Sequence, residues 1–213
     1  MRIERVLRAL AAVAVLGMGS LAHAALLDDF LAAVANDRGT DVRAMLARGV
    51  DPDSVDANGD PAIVIAARGG NLSAVNALIA ARVKVDAPNR YGDTALMVAA
   101  LGNRLDVAKA LRAAGANVNP RGWTPLAYAA TGGHDAMAAW LIGQGANLDA
   151  PSANGTTPLM MAAREGRYDT ALLLIAKGAN VNARNENNLS ALDFARRNHD
   201  ERLAERLQAA GAR

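Results

Sequence analysis

Small and apolar residues recur along the chain with a period near 33 residues. The stretch "TPLAYAATGGHDAMAAWLIGQGANLDA" begins at Thr124, and "TPLMMAAREGRYDTALLLIAKGANVNA" begins 33 residues later at Thr157. The two stretches match at small and apolar positions and differ at polar ones. Such self-similarity at a fixed period is typical of proteins built from stacked repeats, so we predict a repeat architecture.

Within each unit the pattern predicts two short helices and an extended finger. Thr124 is suited to cap the first helix, and Pro125 suits its first position, where a missing N–H costs nothing. The apolar residues that follow lie three and four apart, which puts them on one helix face. Gly133 ends this helix, and Gly145 ends the second one in a left-handed conformation. The polar, turn-rich residues 146–156 suit an extended finger.

One unit of this size cannot bury its own apolar face, whereas several stacked units form a continuous core. At this point "GTTPLMMAAREGRYDTALLLIAKGANVNA" resembles an ankyrin repeat, with its Thr-Pro-Leu helix start, its Ala pair and its Gly-Ala-Asn-Val-Asn finger. The resemblance extends over about residues 26–213. It implies an all-α solenoid of stacked helix pairs with short β-hairpin fingers.

The same alignment divides the chain into seven segments. We predict a signal peptide, an N-terminal capping repeat, four internal repeats and a C-terminal capping repeat, over residues 1–24, 25–57, 58–89, 90–120, 121–153, 154–186 and 187–213.

The first two dozen residues have the form of a secretory signal. A positively charged start with three arginines precedes a short apolar stretch, and Ala22-His23-Ala24 supplies small residues for cleavage after Ala24. The alternative is an uncleaved anchor, although the apolar run falls short of the ~20 residues that a span needs. The chain has no Cys, which excludes disulfides and a lipid-modified cysteine. We therefore expect a periplasmic protein that is exported by its signal peptide.

The net charge of the chain depends on whether the signal peptide is removed. The precursor has 23 basic and 21 acidic residues. Removal of residues 1–24 takes away three arginines and one glutamate, which leaves a formally neutral chain. A neutral chain gives no indication of nucleic-acid binding. We expect a monomer whose partner is another protein, with no membrane contact after signal cleavage.

The sequence contains few of the residues and motifs that enzyme catalysis requires. Residues 25–213 contain two histidines, His134 and His199, and lack both a Cys nucleophile and a phosphate-binding glycine loop. We assign His134 a structural role in a turn, and we expect no catalytic residue, cofactor or metal site. The alternative is an enzyme or a calcium module that uses the finger carboxylates at 51–60, although their spacing does not match a calcium-sensor loop.

The resemblance implies that binding residues lie at finger tips and on the concave face of the first helices. Aromatic residues and Arg dominate interface hot spots, so Arg90, Tyr91 and Trp123 are the best candidates. The remaining predicted partner-binding residues are Arg121, Tyr128, Asn154 and Arg164. The alternative for Tyr91 and Trp123 is simple packing along adjacent fingers.

A row of larger apolar residues, here called the apolar ladder, runs along the predicted first helices. It comprises Ile65, Val98, Tyr128, Met161 and Phe194. If exposed, these residues would form an apolar groove for a partner. Packing between repeats is the favoured interpretation.

Two departures from the repeat pattern matter. Arg82 occupies a position that Gly fills in the other units, so we expect a looser or differently closed turn there. The third finger is three residues shorter than the fourth, and its remainder reads "NPRGW" with Trp123 at its tip. The deletion is expected to leave a notch in the row of fingers, unless it is a neutral loop change.

Overall fold

A computed structural model describes residues 25–213, and the predicted signal peptide at 1–24 lies outside the described residues. The described part contains twelve helices in six consecutive pairs. In chain order they are α1 (residues 25–35), α2 (Gly39–Ala47), α3 (Ala62–Gly69), α4 (Leu72–Ala80), α5 (Ala95–Leu101), α6 (Leu105–Ala113), α7 (Pro125–Gly132), α8 (Asp135–Gly143), α9 (Pro158–Arg164), α10 (Tyr168–Ala176), α11 (Ala191–Arg197) and α12 (Glu201–Ala209).

The pairs stack in chain order, with first helices packed on first helices. Helix α3 contacts α5, α5 contacts α7, α7 contacts α9, and α9 contacts α11. Second helices also pack on second helices, as α2 does on α4 and α10 on α12. The predicted all-α solenoid of stacked helix pairs is therefore confirmed. The boundaries drawn between units remain a prediction.

The helices are short, and their stability comes from capping and from packing against neighbours. Thr124 Oγ1 accepts a hydrogen bond from the Ala127 amide at 3.2 Å, and a proline follows this cap as predicted. The Ala pair at 129–130 is fully buried, which allows close approach of adjacent first helices. Among residues 25–213, no helix has the length and apolar character needed to cross a membrane.

A row of polar side chains, here called the bridging ladder, joins each finger to the next unit. In each case an Asp or Asn side-chain oxygen accepts a hydrogen bond from a backbone amide about thirty residues further on. The five pairs are Asp53 with Lys84, Asp86 with Asn117, Asn119 with Asn147, Asp149 with Asn180, and Asn182 with Arg213, at 2.8 to 3.0 Å. These bonds satisfy backbone donors that would otherwise lack a protein partner, and they fix the register between fingers.

The fingers differ from the predicted β-hairpins. Within the described residues no regular strand forms, and a single antiparallel bridge joins Val55 to Pro61. Four of the fingers are closed by a polar side chain at the tip, here called the tip acceptor. The tip acceptors are Asp56, Asn89, Ser152 and Asn185. Local turns therefore replace the ladder of a hairpin.

The expectation of a looser turn at Arg82 is wrong. Arg82 adopts φ +62°, a left-handed conformation like that of Gly49 at φ +95°. Its amide donates to the Ile79 carbonyl at 2.9 Å, and the Gly49 amide donates to the equivalent Leu46 carbonyl at 3.0 Å. The turn is thus closed in the same way. The stacking on either side determines the backbone, and Arg82 carries the conformational strain.

Candidate functional site

Tyr91 is a large, exposed aromatic side chain at the tip of the second finger. It is 72% exposed, more than any other large hydrophobic residue in the described part of the chain. The Arg90 guanidinium carbon lies 4.8 Å from the centre of its ring, a cation–π distance. Its backbone amide donates to Asn89 Oδ1 at 2.9 Å, which holds the tip in place. Arg90 and Tyr91 therefore form a preorganised, accessible pair.

Trp123 does not lie at a free finger tip as the sequence suggested. It is half-buried against the core, and its ring centre lies 5.0 Å from that of Tyr128 at a tilt of 35°. Trp123 directly precedes the helix cap Thr124, at the position that Asp93 holds in the preceding unit. The alternative that Trp123 packs within the repeat array describes its placement better, although the residue keeps partial solvent exposure.

Tyr128 is also half-buried, and it joins two units. Its phenolic oxygen donates to Asp93 Oδ1 at 2.5 Å. Burial, together with the hydrogen bond to the Asp93 carboxylate and its negative charge, raises the pKa of Tyr128 far above its ordinary value. Tyr128 therefore remains a protonated hydrogen-bond donor at any ordinary pH.

The rest of the apolar ladder packs between repeats. Val98 and Met161 are buried, and Ile65 and Phe194 are partly buried against the core. The ladder therefore leaves no continuous open groove along the first helices, in agreement with the favoured interpretation of the sequence. Leu101, one turn further along α5, is 45% exposed and keeps an isolated apolar surface near the end of that helix.

An ion pair that the sequence analysis did not identify lies at the base of the first finger. Arg68 Nη1 contacts Asp60 Oδ2 at 2.8 Å. This hydrogen bond raises the pKa of the Arg68 guanidinium above its ordinary value. Asp60 and Arg68 are eight positions apart, across the start of α3, and this is not a helical spacing that would have paired them.

Arg164 and Asn154 occupy exposed positions but already have partners. Arg164 Nε contacts Glu165 Oε1 at 2.9 Å. Asn154 Oδ1 accepts a hydrogen bond from the Ser152 hydroxyl at 2.7 Å, within the fourth finger. The structure therefore places these two residues on fingers and helix ends further along the stack, away from the Arg90–Tyr91 pair.

Arg121 lies on the shortened third finger, beside the notch that the deletion was expected to leave. The notch has a volume of about 270 Å³ and lies between residues 119–122 and the fourth-finger residues Asn147, Ala150 and Pro151. The Arg121 side chain is exposed and forms no ion pair or hydrogen bond within residues 25–213. It is therefore available to a partner.

The carboxylates of the first finger each have a partner of their own. Asp53 contacts Lys84 at 3.3 Å, and Asp60 contacts Arg68. Asp56 is a tip acceptor; despite its partial burial, hydrogen bonds from Asp60 and Asn58 lower its pKa. Among residues 25–213, no three His, Asp or Glu side chains converge as a set of metal ligands.

His134 occupies the turn before α8. Its Nε2 lies 2.8 Å from the carbonyl oxygen of Leu101 in the preceding unit. This contact agrees with the structural role predicted from the sequence. Trp140 on α8 is partly buried and packs against the core, as expected for a structural residue.

Comparisons with known proteins identify the architecture. A family model described as "Ankyrin repeats (3 copies)" matches residues 30–121 and 114–185. The crystal structure of the human ASB11 ankyrin repeat domain is similar with a TM-score of 0.79 and 24% sequence identity, over 86% of this chain and 84% of that chain. At that identity the likeness concerns the fold alone. No curated protein matches the sequence at a significant level.

Proposed function

We propose that this chain, which belongs to the ankyrin-repeat family, binds another protein and catalyses no reaction. Ankyrin repeats are generally protein–protein interaction modules, and their fold is typically a non-catalytic scaffold. The proposed surface runs along the tips of the second and third fingers and onto the concave face near Leu101. Its main residues are Arg90, Tyr91, Arg121 and the partly exposed Trp123.

The observation that carries this proposal is the exposure and order of Tyr91. Tyr91 is 72% exposed and lies beside Arg90, and aromatic residues and Arg are the residue types that dominate interface hot spots. Its backbone is held by Asn89, and Arg90 lies over its ring. Because the pair is already ordered, little conformational entropy is lost when it docks.

Charge on this side of the molecule favours an acidic partner. The carboxylates at the base of the first and second fingers are engaged, since Asp60 contacts Arg68 and Asp93 accepts from Tyr128. Arg90 and Arg121 form no ion pair within residues 25–213. Two uncompensated cations beside an exposed aromatic ring are complementary to acidic and apolar side chains.

We propose the periplasm as the place of action, and the sequence of residues 1–24 supports this. Its positively charged start, short apolar stretch and Ala22-His23-Ala24 site have the form of an export signal. The partner would then be another envelope or secreted protein that is inhibited, protected or held in place. The absence of Cys is compatible with an exported protein whose stability comes from packing.

The test is quantitative affinity capture from the cell envelope, with mass spectrometry of the retained proteins. Wild-type protein is compared with Tyr91→Ala, Arg90→Ala and the control Lys177→Ala, an exposed residue at the C-terminal cap of α10. We expect the two finger variants to retain at least about tenfold less of a partner that the wild type and the control retain equally. Equal retention by all four proteins would overturn the proposal, as would a fall in the Tyr91→Ala melting temperature large enough to make Tyr91 a structural residue.

A further inference from the structure

Backbone amides at the finger tips are normally satisfied from within the finger. In the first, second and fifth fingers the tip acceptor takes hydrogen bonds from the second and fourth residues after it. These bonds run from Asn58 and Asp60 to Asp56, from Tyr91 and Asp93 to Asn89, and from Asn187 and Leu189 to Asn185, at 2.8 to 3.0 Å. The carbonyl of each tip acceptor also accepts from the residue in between, at 2.8 to 2.9 Å.

The third finger has lost its tip acceptor. The Asn closest to this tip, Asn119, belongs to the bridging ladder, since its Oδ1 accepts from the Asn147 amide and its Nδ2 donates to the Gly145 carbonyl. The three-residue deletion falls between Asn119 and Pro120, where the tip acceptor would stand. As a result, the amides of Arg121, Gly122 and Trp123 have no hydrogen-bond acceptor within residues 25–213.

The backbone nevertheless still turns at this tip. Gly122 has φ +81°, close to +79° for Gly59 and +86° for Gly92 at the equivalent positions. Gly122 therefore keeps the left-handed conformation of the glycines at the other tips, while the acceptor and the hydrogen bond that closes the turn are missing. Consecutive backbone amides around such a turn form a concave site for an anion.

The surroundings of this tip also favour an anion. The tip borders the notch of about 270 Å³, which has room for several water-sized groups. Its lining contains the Arg121 side chain and no carboxylate. An Arg guanidinium binds a carboxylate through two parallel hydrogen bonds, which are stronger than bonds between neutral groups.

We propose that a carboxylate from a partner protein, an Asp or Glu side chain in an extended acidic segment, takes the place of the missing tip acceptor. It accepts hydrogen bonds from the amides of Arg121, Gly122 and Trp123 and pairs with the Arg121 guanidinium. In the first, second and fifth fingers the chain supplies the equivalent oxygens itself, one from the side chain and one from the carbonyl of the tip acceptor. This inference rests on the proposed function and specifies the chemistry of the partner.

A protein segment fits this surface better than a small free acid does. Stacked helices lie 8–10 Å apart, so neighbouring finger tips are about 10 Å apart. An extended chain covers that distance in about three residues. A segment with its carboxylate on the third finger therefore places an apolar side chain, about three residues away, against Tyr91 on the second finger.

The test is an NMR titration of the ¹⁵N-labelled protein with N-acetyl-aspartate N-methylamide. We expect saturable shifts of the amide resonances of Arg121, Gly122 and Trp123, while the amides of the other finger tips stay in place. The uncharged N-acetyl-asparagine N-methylamide should bind at least about fivefold more weakly, because it cannot form the ion pair with Arg121.

Three variants separate this site from general binding. Insertion of Ala-Pro-Asn, the sequence of residues 87–89, between Asn119 and Pro120 restores an internal acceptor and should abolish the shifts. Arg121→Ala should weaken binding by about fivefold or more. Lys177→Ala, at the exposed C-terminal cap of α10, should leave the titration unchanged.

The proposal is overturned if the three amides show no saturable shift, which would mean that water alone satisfies them. It is also overturned if sulfate shifts them as strongly as the aspartate derivative does, or if the insertion variant responds like the wild type. These outcomes leave the proposed function standing, since that depends on partner capture by Tyr91 and Arg90. The titration could instead behave as expected while the Tyr91 and Arg90 variants capture the partner as well as the wild type does. The proposed function would then fail, and the carboxylate site would stand.

Discussion

Tyr128 donates its phenolic O–H to Asp93 Oδ1 across 2.5 Å, so that the first helix of one unit is bonded to the finger base of the unit before it. The same ring packs on Trp123. One side chain therefore ties the second finger to the third and supports the aromatic edge of the proposed binding surface. The protonation state of Tyr128 therefore matters for the link between the two fingers and for the binding surface.

Replacement of Tyr128 by Phe tests this tie. The variant keeps the ring packing and loses the hydrogen bond, so we expect the free energy of unfolding at pH 7 to fall by about 1 kcal/mol. Helix content should be unchanged. Urea unfolding monitored by circular dichroism measures the difference, with Tyr168→Phe as the control, since Tyr168 makes a cation–π contact with Arg202 and no hydrogen bond in the described structure.

The pH dependence has a definite sign. The pKa of Tyr128 is higher in the folded protein than in the unfolded chain, where it is about 10. The contribution of Tyr128 is therefore fully present below about pH 10 and is lost as pH rises from there toward the folded pKa. Tyr128→Phe should lose less stability than the wild type between pH 9 and 11. Parallel pH profiles would contradict this account.

Arg82 offers a stabilising change. Because Arg82 holds a left-handed conformation at φ +62°, Arg82→Gly should raise the free energy of unfolding by roughly 0.5 to 1 kcal/mol. The reciprocal variant Gly49→Arg, at the equivalent turn, should lower it by a similar amount. Thermal unfolding of both proteins checks the pair. A destabilised Arg82→Gly would show that the Arg side chain makes contacts that outweigh its backbone strain.

Each bond of the bridging ladder joins two residues about thirty positions apart, so removal of its acceptor should affect the donor amide in the next unit. Asp86 accepts the Asn117 amide at 3.0 Å, so Asp86→Ala should speed hydrogen exchange at Asn117 and lower stability by about 1 kcal/mol. Asp106→Ala, an exposed substitution in the first turn of α6, removes a 3.7 Å surface ion pair and a charge at the helix N-terminus, and it is the control because it should leave exchange at Asn117 unchanged. Unchanged exchange at Asn117 in the Asp86→Ala variant would mean that the ladder bond is not formed in solution.

The repeat period was enough to predict the stacked helix pairs, because the Ala pairs and apolar faces that stacking requires recur at fixed spacing. The role of Asn119 in the third finger was harder to predict from the sequence. Asn119 begins "NPRGWT", which aligns with "NRYGDT" at Asn89, and this alignment would make it a tip acceptor. Its actual partner is the amide of Asn147, 28 residues away, and a sequence pattern does not reveal such a contact.

Trp123 and Arg82 show two further limits of sequence reasoning. Trp123 follows the tip glycine, which suggested exposure, yet the residue before a helix cap is turned back toward the core. Arg82 lacks the freedom of Gly, which suggested a different turn, yet packing on both sides imposes the same backbone. In both cases tertiary contacts outweighed a local preference.

The proposed export signal predicts the start of the mature chain. Protein recovered from the periplasm should begin at Ala25, because Ala22-His23-Ala24 places cleavage after Ala24. Intact mass measurement of the envelope fraction checks this. A full-length mass retained in the membrane fraction would instead support the uncleaved anchor.

The central claim is that the tips of the second and third fingers meet a partner protein. Site-specific photo-crosslinking in cells tests it most directly, with benzoylphenylalanine placed in turn at Tyr91, Arg121 and Lys177. We predict crosslinks to one common partner from the positions of Tyr91 and Arg121 and none to it from the position of Lys177. Crosslinks to a partner only from the position of Lys177, at the C-terminal cap of α10, would contradict the account.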